Sequence, residues 1–238
     1  MAALEILMIT HNRLEYLKKA LPSVCNQSYR NFRLIIWDNN SNSEVVDYLK
    51  GWDGGLCFGI GKSAIEVIYN KTNESLADVT TKVFKNCTGE FVGKVDADMI
   101  IPPDWASRLI AKHQERHYGF LGGFHFRPED LNGIDPVIEN GIWRKHHIGG
   151  QFIIRREDFK GYVGKGVMGL SEYQAEIGLL NGYLWDPILW VEHMEDARSE
   201  HYINNKEYNN YKIKTRGISL ERYQTGIANL TYLRENTK

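Results

Sequence analysis

The sequence predicts an α/β fold in which a mostly parallel central sheet is flanked by helices. Strand and helix patterns alternate through the first hundred residues, and short connections join them. Each of the four strand patterns there is followed by polar residues. Alternation with short connections is typical of right-handed crossovers between parallel strands. Because ligands bind beyond the carboxyl ends of such strands, the polar residues predict a binding site along one edge of the sheet.

The strands and helices of the first half follow from hydrophobic patterning. Strands are predicted at residues 4–9, 32–37, 65–69 and 91–95, where short apolar runs are bounded by polar residues. Helices are predicted around residues 14–24, 45–49 and 76–84, where apolar residues recur at helical spacing. Pro22 is an irregularity inside the first helix, and Gly51 marks the end of the second. Residues 51–62 are glycine-rich and predict a loop.

The second half carries a weaker pattern. Helices are predicted at residues 104–113 and 171–180, and strands at 120–126 and 151–155. Residues 184–191 indicate either two strands or one strand bent at Pro187, while residues 133–147 are irregular. From residue 192 the chain is polar and rich in tyrosine, without clear periodicity until residues 220–233. We therefore treat the chain as one domain with a first half (1–104), a second half (105–198) and a tail (199–238).

Composition excludes several function classes. The chain has 238 residues, of which 42% are hydrophobic and 25% charged, with a formal net charge of −1. This charge balance gives no global attraction to nucleic acid, and no apolar run is long enough to span a bilayer. The cysteines (Cys25, Cys57 and Cys87) are far apart and odd in number. They predict buried free thiols in a reducing cytoplasm.

Two carboxylates follow the strand at 91–95, in the segment Asp96-Ala97-Asp98. At a strand end that turns into a loop, both can reach one ligand. A nucleotide diphosphate needs a divalent cation to offset its charge, and hard cations prefer oxygen ligands. The alternative is that the aspartates only form hydrogen bonds within the turn, which is common for an isolated Asp-x-Asp.

Residues 6–104 resemble a family 2-type glycosyltransferase with the GT-A fold, which has a Rossmann-like central sheet and a smaller acceptor-side subregion. The matching motifs are Thr10-His11-Asn12-Arg13, Asp38-Asn39-Asn40-Ser41 and Asp96-Ala97-Asp98. Cys25-Asn26-Gln27-Ser28-Tyr29 resembles the family's segment after the first helix. The stretch from Asn73 to Ala77 resembles its Asn-x-Gly-x-Ala segment, with Ser75 in place of glycine.

The resemblance implies that residues 1–104 are the donor-binding half (the donor half) and that residues 105–198 are the acceptor-binding and catalytic half (the acceptor half). It also implies roles for the strand-end residues. The nucleotide-sugar site would comprise Thr10, His11, Asn12, Arg13, Asp38, Asn73, Asp96 and Ala97. Among these, Arg13 would approach the diphosphate, Asp38 would accept a hydrogen bond from the base, and Asp96 would bind ribose or the sugar. Asp98 would bind the metal, Mn²⁺ or Mg²⁺. His11 replaces the family's usual tyrosine, which would alter stacking against the base. For Asn12, hydrogen bonding within a turn or helix cap is an equal alternative to a role in ligand binding.

The second half supplies the rest of the expected site. Gly169-Leu170-Ser171-Glu172 resembles the family's segment that carries the catalytic base, although Tyr173 replaces the usual aspartate. We expect Glu172 to be the base and Glu176 to be the reserve candidate. The alternative for Glu172 is a favourable charge at a helix N-terminus. A histidine in the region of His193 often completes the metal site of such enzymes, and Gly149 and Gly150 resemble the wall of the acceptor pocket.

These residues predict an inverting, metal-assisted transfer of a sugar, with UDP as the expected nucleotide, to the hydroxyl of a glycan, lipid-linked or protein acceptor. The product would belong to a polysaccharide or glycoconjugate. We expect a cytoplasmic enzyme, and peripheral association with the inner face of a membrane stays open, as does the oligomeric state. The alternatives are a non-catalytic nucleotide- or sugar-binding module on the same fold and, ranked lower, a nucleotidyltransferase. The latter usually has a glycine-rich basic loop where this chain has residues 10–13.

Overall fold

A computed structural model describes residues 3–57, 64–161, 174 and 176–216. In chain order the strands and helices are β1 (Leu4–Thr10), α1 (Leu14–Cys25), β2 (Phe32–Asn39), α2 (Ser43–Lys50), β3 (Ile65–Asn70), α3 (Leu76–Asn86), β4 (Phe91–Val95), β5 (Met99–Ile100), α4 (Trp105–Glu115), β6 (Leu121–Gly122), β7 (Ile138–Glu139), β8 (Ile142–Arg144), β9 (Gln151–Arg155), β10 (Gly182–Leu184), β11 (Glu192–His193) and α5 (Lys206–Arg216). Short 3₁₀ helices span Pro128–Leu131 and Arg156–Asp158.

One sheet runs through both halves of the chain. Its strand order is β3-β2-β1-β4-β9-β6-β10-β8-β7. Strands β3, β2, β1 and β4 are parallel, and β9 joins β4 in antiparallel orientation. In the β1–β2 register Thr10 lies opposite Asp38, so two expected site residues end neighbouring strands at the same edge. The mixed α/β architecture with a mostly parallel donor half is therefore confirmed.

Hydrophobic side chains cover both faces of this sheet. Within β1, Leu4, Ile6 and Met8 belong to one buried cluster, and Leu7 and Ile9 belong to the other. Helices α1, α2 and α4 contribute to the first cluster, and α3 contributes to the second. Strand residues alternate between faces, so a strand covered on both sides is apolar throughout. The three cysteines are buried free thiols, as expected.

The second half differs from its predicted pattern in several places. Of the strand expected at 120–126, only Leu121 and Gly122 form β6. Beyond β6, Phe124 forms an isolated parallel bridge with Trp190, and its backbone N–H donates to the Leu189 carbonyl at 2.7 Å. This part of the chain therefore pairs with the segment after Pro187 and does not extend β6. The irregular stretch 133–147 contains β7 and β8, and the polar segment after residue 192 contains α5. The patterns at 171–173 and 220–233 lie outside the described residues.

Residues 184–191 form neither of the two expected arrangements in full. Strand β10 ends at Leu184, and a cis peptide bond joins Asp186 to Pro187. Beyond it, Trp185 and Ile188 form an isolated antiparallel bridge, and Trp190 forms a parallel bridge with Phe124. Among the helices that the structure describes, none is long and apolar enough to cross a bilayer.

Candidate active site

The carboxyl ends of β1 and β2 supply the first polar side chains of the site. Thr10 and Asp38 are almost fully buried, with exposures of 1% and 2%. One oxygen of Asp38 accepts a hydrogen bond from the Ser41 backbone N–H at 3.1 Å. Asp38 therefore orders the turn that follows β2 and lies at the edge where the resemblance places the nucleotide base.

The loop after β1 is tied to the loop after β2. The backbone N–H of Asn12 donates to Ser41 Oγ at 2.9 Å, and Asn12 Oδ1 accepts from the backbone N–H of Asn42 at 2.8 Å. The exposed His11 has Nδ1 2.9 Å from the Asn39 carbonyl oxygen and Nε2 3.2 Å from the Asn12 amide nitrogen. Since a carbonyl only accepts and an amide nitrogen only donates, His11 carries its proton on Nδ1. These contacts give the β1–α1 loop a fixed shape.

Asn39 fixes the loop between β3 and α3. Its amide nitrogen donates to Asn73 Oδ1 at 2.7 Å and to the Glu74 carbonyl at 2.8 Å. Its amide oxygen accepts from the Glu74 backbone N–H at 2.9 Å. Asn73 is exposed and held by this buried asparagine, so Asn73 lies at the same sheet edge as Asp38.

The end of β4 carries Asp96 and Ala97, both partly buried. Lys94, which is 4% exposed, pairs with the Asp96 carboxylate. The Asp96 backbone N–H donates to the Gly150 carbonyl at 2.7 Å, so the expected acceptor wall contacts the Asp-x-Asp turn directly. Gly150 has a φ of +77°, and a Cβ there would lie 2.1 Å from Met99 Cε. Glycine is therefore required at this contact.

Asp98 lies in a second cluster, which is built by both halves of the chain. Strand β11 pairs with β5 so that His193 lies opposite Met99, and the Met194 backbone N–H donates to the Asp98 carbonyl at 2.9 Å. This pairing brings His193 Nε2 within 3.7 Å of Asp98 Oδ2 and within 3.8 Å of Glu195 Oε2. Asp98, His193 and Glu195 each offer one ligand atom, and these atoms lie within 4.8 Å of one another.

The chemistry of this donor set fits a divalent cation. Two carboxylate oxygens and one imidazole nitrogen are ligands that Mn²⁺ accepts, and Mg²⁺ prefers the oxygens. Asp98 and Glu195 are 8% and 6% exposed, so their charges require a cation close by. Arg13 supplies one, with Nη1 3.3 Å from Asp98 Oδ2 and Nη2 2.5 Å from Glu195 Oε1.

Burial lowers the pKa values of three basic side chains near this cluster, His125, His147 and Lys145. Burial first, and His193 and His147 next, lower the pKa of His125 to about 3. Burial, followed by Lys94 and Lys145, lowers the pKa of His147 to about 4. Burial alone lowers the pKa of Lys145 to about 8. At neutral pH His125 and His147 are therefore uncharged, and the nearby positive charge comes from lysine and arginine.

A buried ion network holds the segment that carries His193 and Glu195. Arg198 donates from Nη1 and Nη2 to the two oxygens of Asp130 at 2.7 and 2.9 Å, and from Nε to Asp196 Oδ1 at 2.8 Å. Asp130 and Asp196 are 0% and 4% exposed. Despite its burial, the Asp196 carboxyl has a pKa below its usual value because Arg198 donates to it. The network joins this segment to the 3₁₀ helix Pro128–Leu131.

The remaining expected residues have mixed positions. Glu172 lies outside the described residues, and Glu176 is an exposed helical residue. Gly149 is partly buried beside His147, whose Nε2 would be 3.3 Å from a Cβ on Gly149. Tryptophans of the second half can stack on a sugar or pack in the core. Trp143 is fully buried in the core, whereas Trp190 is 42% exposed. Only an exposed tryptophan of this kind can present a face to a sugar.

Two side chains of the site were missed by the sequence reasoning. Glu195 follows His193 by two positions, within the turn that follows β11. That spacing was the available signal. Lys94 is a charged residue inside an apolar strand, two positions before Asp96. A buried lysine needs a partner, which pointed to a nearby carboxylate.

Comparison with known proteins supplies named relatives. EpsE of Bacillus subtilis, a glycosyltransferase by name, is 26% identical over 118 residues, which cover 49% of this chain and 41% of that protein. An uncharacterized glycosyltransferase of Haemophilus influenzae is 22% identical over 122 residues, covering 50% of this chain and 35% of the relative. The chain thus aligns with less than half the length of either relative.

Solved structures share the fold at low sequence identity. The mannosyltransferase PcManGT from Pyrobaculum calidifontis, in complex with GDP-Man and Mn²⁺, has a TM-score of 0.69 at 16% identity, covering 90% of this chain and 60% of that one. TarS 1–349 of S. aureus with UDP-GlcNAc has a TM-score of 0.60 at 15% identity, covering 88% and 64%. These similarities confirm the GT-A fold. The sequence profile of Glycosyl transferase family 2 matches residues 5–172, which is most of the chain. The chain belongs to glycosyl transferase family 2.

Proposed function

We propose that this protein transfers a sugar from a nucleotide-diphosphate sugar to an acceptor hydroxyl, with inversion and with the help of a divalent cation. The observation that supports this most is the convergence of Asp98, His193 and Glu195 beside the carboxyl end of β4. The strand-end residues assigned to the donor lie at the same edge of the sheet, where ligands of parallel α/β proteins bind. Family membership supports the same reaction class.

The donor would bind along the ends of β1, β2 and β4. Thr10, Asn12 and Asp38 would contact the nucleoside, with Asp38 accepting from the base, and Asp96 would accept from a ribose or sugar hydroxyl. The charge of Lys94 next to Asp96 would help to orient that carboxylate. We propose UDP as the nucleotide. Because the structural relatives include both a GDP-Man and a UDP-GlcNAc complex, GDP sugars are the comparison that any donor screen requires.

Asp98, His193 and Glu195 would hold Mn²⁺ or Mg²⁺. When bound, such a cation offsets the negative charge that develops on the leaving diphosphate, so no protein acid is required there. The two carboxylates contribute charge and the neutral imidazole contributes a nitrogen ligand. Arg198 would keep His193 and Glu195 in place through its buried contacts with Asp130 and Asp196.

Glu172 is the proposed base. It would remove the proton from the acceptor hydroxyl as that oxygen attacks the anomeric carbon from the side opposite the diphosphate, which inverts the configuration. Glu176, an exposed residue, is the reserve candidate. The acceptor would be a glycan, a lipid-linked molecule or a protein, bound against Gly149 and Gly150. A lipid-linked acceptor would bring the enzyme to the inner face of a membrane.

Two substitutions test these roles separately. Asp98→Ala is expected to abolish Mn²⁺-dependent binding of the nucleotide diphosphate, measured by calorimetry with UDP and GDP. Glu172→Gln is expected to retain donor binding while transfer falls by at least about 100-fold, the usual contribution of a general base. Glu157→Gln, at an exposed carboxylate in the 3₁₀ helix Arg156–Asp158, is the matched control. Unchanged Mn²⁺-dependent affinity in Asp98→Ala would exclude the metal site, and normal turnover of Glu172→Gln would exclude that base.

A further inference from the structure

Arg13 holds the position of a counter-cation between the two acidic residues of the metal-binding cluster. Its two terminal nitrogens contact different carboxylates, Asp98 at 3.3 Å and Glu195 at 2.5 Å. These are the carboxylates assigned above to the cation. The Arg13 guanidinium group and a divalent cation would therefore bind the same two carboxylates.

The electrostatics of the cluster require a positive charge in the metal-free protein. The side chains of Asp98 and Glu195 are only 11% and 3% exposed, so solvent screens them weakly. Two buried carboxylates without a counter-charge would strongly destabilise the folded state. Arg13 supplies that charge and holds the two acids close together before any metal is present.

The backbone around Arg13 is fixed in an unusual conformation. Asn12 and Arg13 have φ angles of 57° and 62°, which is the left-handed region that non-glycine residues seldom adopt. The contacts of Asn12 with Ser41 and Asn42 hold this shape. Such conformations persist where the surrounding structure imposes them, commonly at ligand-binding sites. Here the conformation directs the Arg13 side chain to Asp98 and Glu195.

The Arg13 side chain lies over the Tyr16 ring while it contacts the two carboxylates, and it also borders a cavity. Its Cζ lies 4.5 Å from the centre of the Tyr16 ring, an arrangement that attracts a guanidinium group. A cavity of about 220 Å³ adjoins it, lined among others by Arg13, Tyr16, Glu195, Tyr202 and Ile203. Tyr16 is held in position because its hydroxyl accepts from the Ile203 backbone N–H at 2.9 Å. The guanidinium group can therefore leave the carboxylates without entering an apolar core.

We propose that Arg13 is a positioning residue that preforms the Asp98–Glu195 pair and competes with the divalent cation for it. Cation binding displaces the guanidinium group from the two carboxylates into the adjoining cavity. In the metal-free protein, Arg13 keeps the two acids in place at the cost of a weaker affinity for the metal. This inference rests on the metal site proposed above.

The test is a Mn²⁺ titration of the full chain, with free Mn²⁺ measured by electron paramagnetic resonance, together with thermal unfolding with and without Mn²⁺. Arg13→Gln is expected to lower the Mn²⁺ Kd by about tenfold or more, since it removes a neighbouring positive charge. The same variant is expected to have a lower Tm without metal and a larger rise of Tm with Mn²⁺. Arg13→Lys, which keeps the charge, should lie between Arg13→Gln and the wild type.

Arg33→Gln is the matched control. Like Arg13, Arg33 pairs with two carboxylates, those of Glu5 and Glu66, but it lies away from the cluster. Its Mn²⁺ Kd should equal that of the wild type. An Arg13→Gln affinity that is unchanged or weaker, while the wild type binds Mn²⁺, overturns the competition and leaves the metal site intact. If neither the wild type nor any Arg13 variant binds Mn²⁺, both the metal site and this inference are wrong.

Discussion

The donor half and the acceptor half of the molecule share one sheet but are organised by different contacts. In residues 3–104, β1, β2 and β3 are each followed by a helix that packs against the sheet, whereas β4 leads into β5. Side chains at the starts of α2 and α3 form hydrogen bonds within their own helices. Asn42 and Ser75 cap α2 and α3 through hydrogen bonds to residues three positions later. In the described part of residues 105–216 the strands are short, and contacts between distant segments hold the chain. Arg198 with Asp130 is the clearest case.

The difference matters because the proposed metal site takes ligands from both halves. Asp98 is positioned by the end of β4, whereas His193 and Glu195 depend on the pairing of β11 with β5 and on the Arg198 network. We expect substitutions in the second half to disturb stability more than matched substitutions in the first. Each prediction below compares the two halves or isolates one of them.

The largest effect is expected from Arg198→Met. This change leaves the buried carboxylates of Asp130 and Asp196 without their cation, and breaking a buried ion pair costs about 3–5 kcal/mol. The free energy of unfolding, measured by chemical denaturation near pH 7, gives the cost directly. Mn²⁺ affinity should weaken in parallel, because the segment carrying His193 and Glu195 loses its anchor.

Arg33→Met is the counterpart in the donor half. Arg33 is 40% exposed, and its partner Glu5 keeps hydrogen bonds from the backbone N–H groups of Thr88 and Gly89. The Glu5 side chain is only 3% exposed, but its two backbone hydrogen bonds remain when Arg33 is removed, so we expect a loss of about 1 kcal/mol, as for pairs with a solvent-exposed partner. Equal costs for Arg198→Met and Arg33→Met would remove the contrast between the halves.

The success of prediction from the sequence also differs between the two halves. Residues 91–95 were expected as a strand and form β4 with those bounds, because an apolar run between polar residues is a local signal. The positions of Asp38, Asp96 and Asp98 followed from one rule, that parallel strands end at a common edge. The role of Glu195 could not be assigned in this way, because its approach to Asp98 depends on pairing between segments far apart in sequence. Helix α5 was missed because most of its residues are polar.

The third prediction concerns stability in acid, which we expect to depend on a buried histidine of the acceptor half. Burial lowers the pKa of His113 to about 4, and its Nε2–H donates to the Ile153 carbonyl at 3.1 Å. The unfolded chain protonates His113 near pH 6.5, so the stability from the neutral ring is complete above that pH and is lost as the pH falls towards 4. Between pH 7 and pH 5 the loss from this residue is about 2 kcal/mol.

A variant without this proton site should have a flatter pH profile. In His113→Gln the free energy of unfolding should fall less between pH 7 and pH 5 than in the wild type. Tyr118→Phe, which alters a ring packed against His113 and removes no group that titrates in this range, is the control. Its profile should be parallel to that of the wild type. A His113→Gln profile as steep as the wild type's would assign the acid sensitivity elsewhere.

Losses of about 1 kcal/mol or less are expected at the helix starts, where local sequence signals are tested directly. Ser75 Oγ accepts from the Asp78 backbone N–H at 3.1 Å, so Ser75→Ala should lower the free energy of unfolding by about 1 kcal/mol, the usual value of such a cap. Asp104 precedes α4 in the corresponding position but makes no side-chain cap hydrogen bond. Asp104→Ala should therefore stay within about 0.5 kcal/mol of the wild type, as for other surface changes. The two residues look alike in sequence as helix starts, and denaturation curves distinguish them. Equal losses at both positions would mean that the cap residue type alone, rather than its observed hydrogen bond, determines stability at these helix ends.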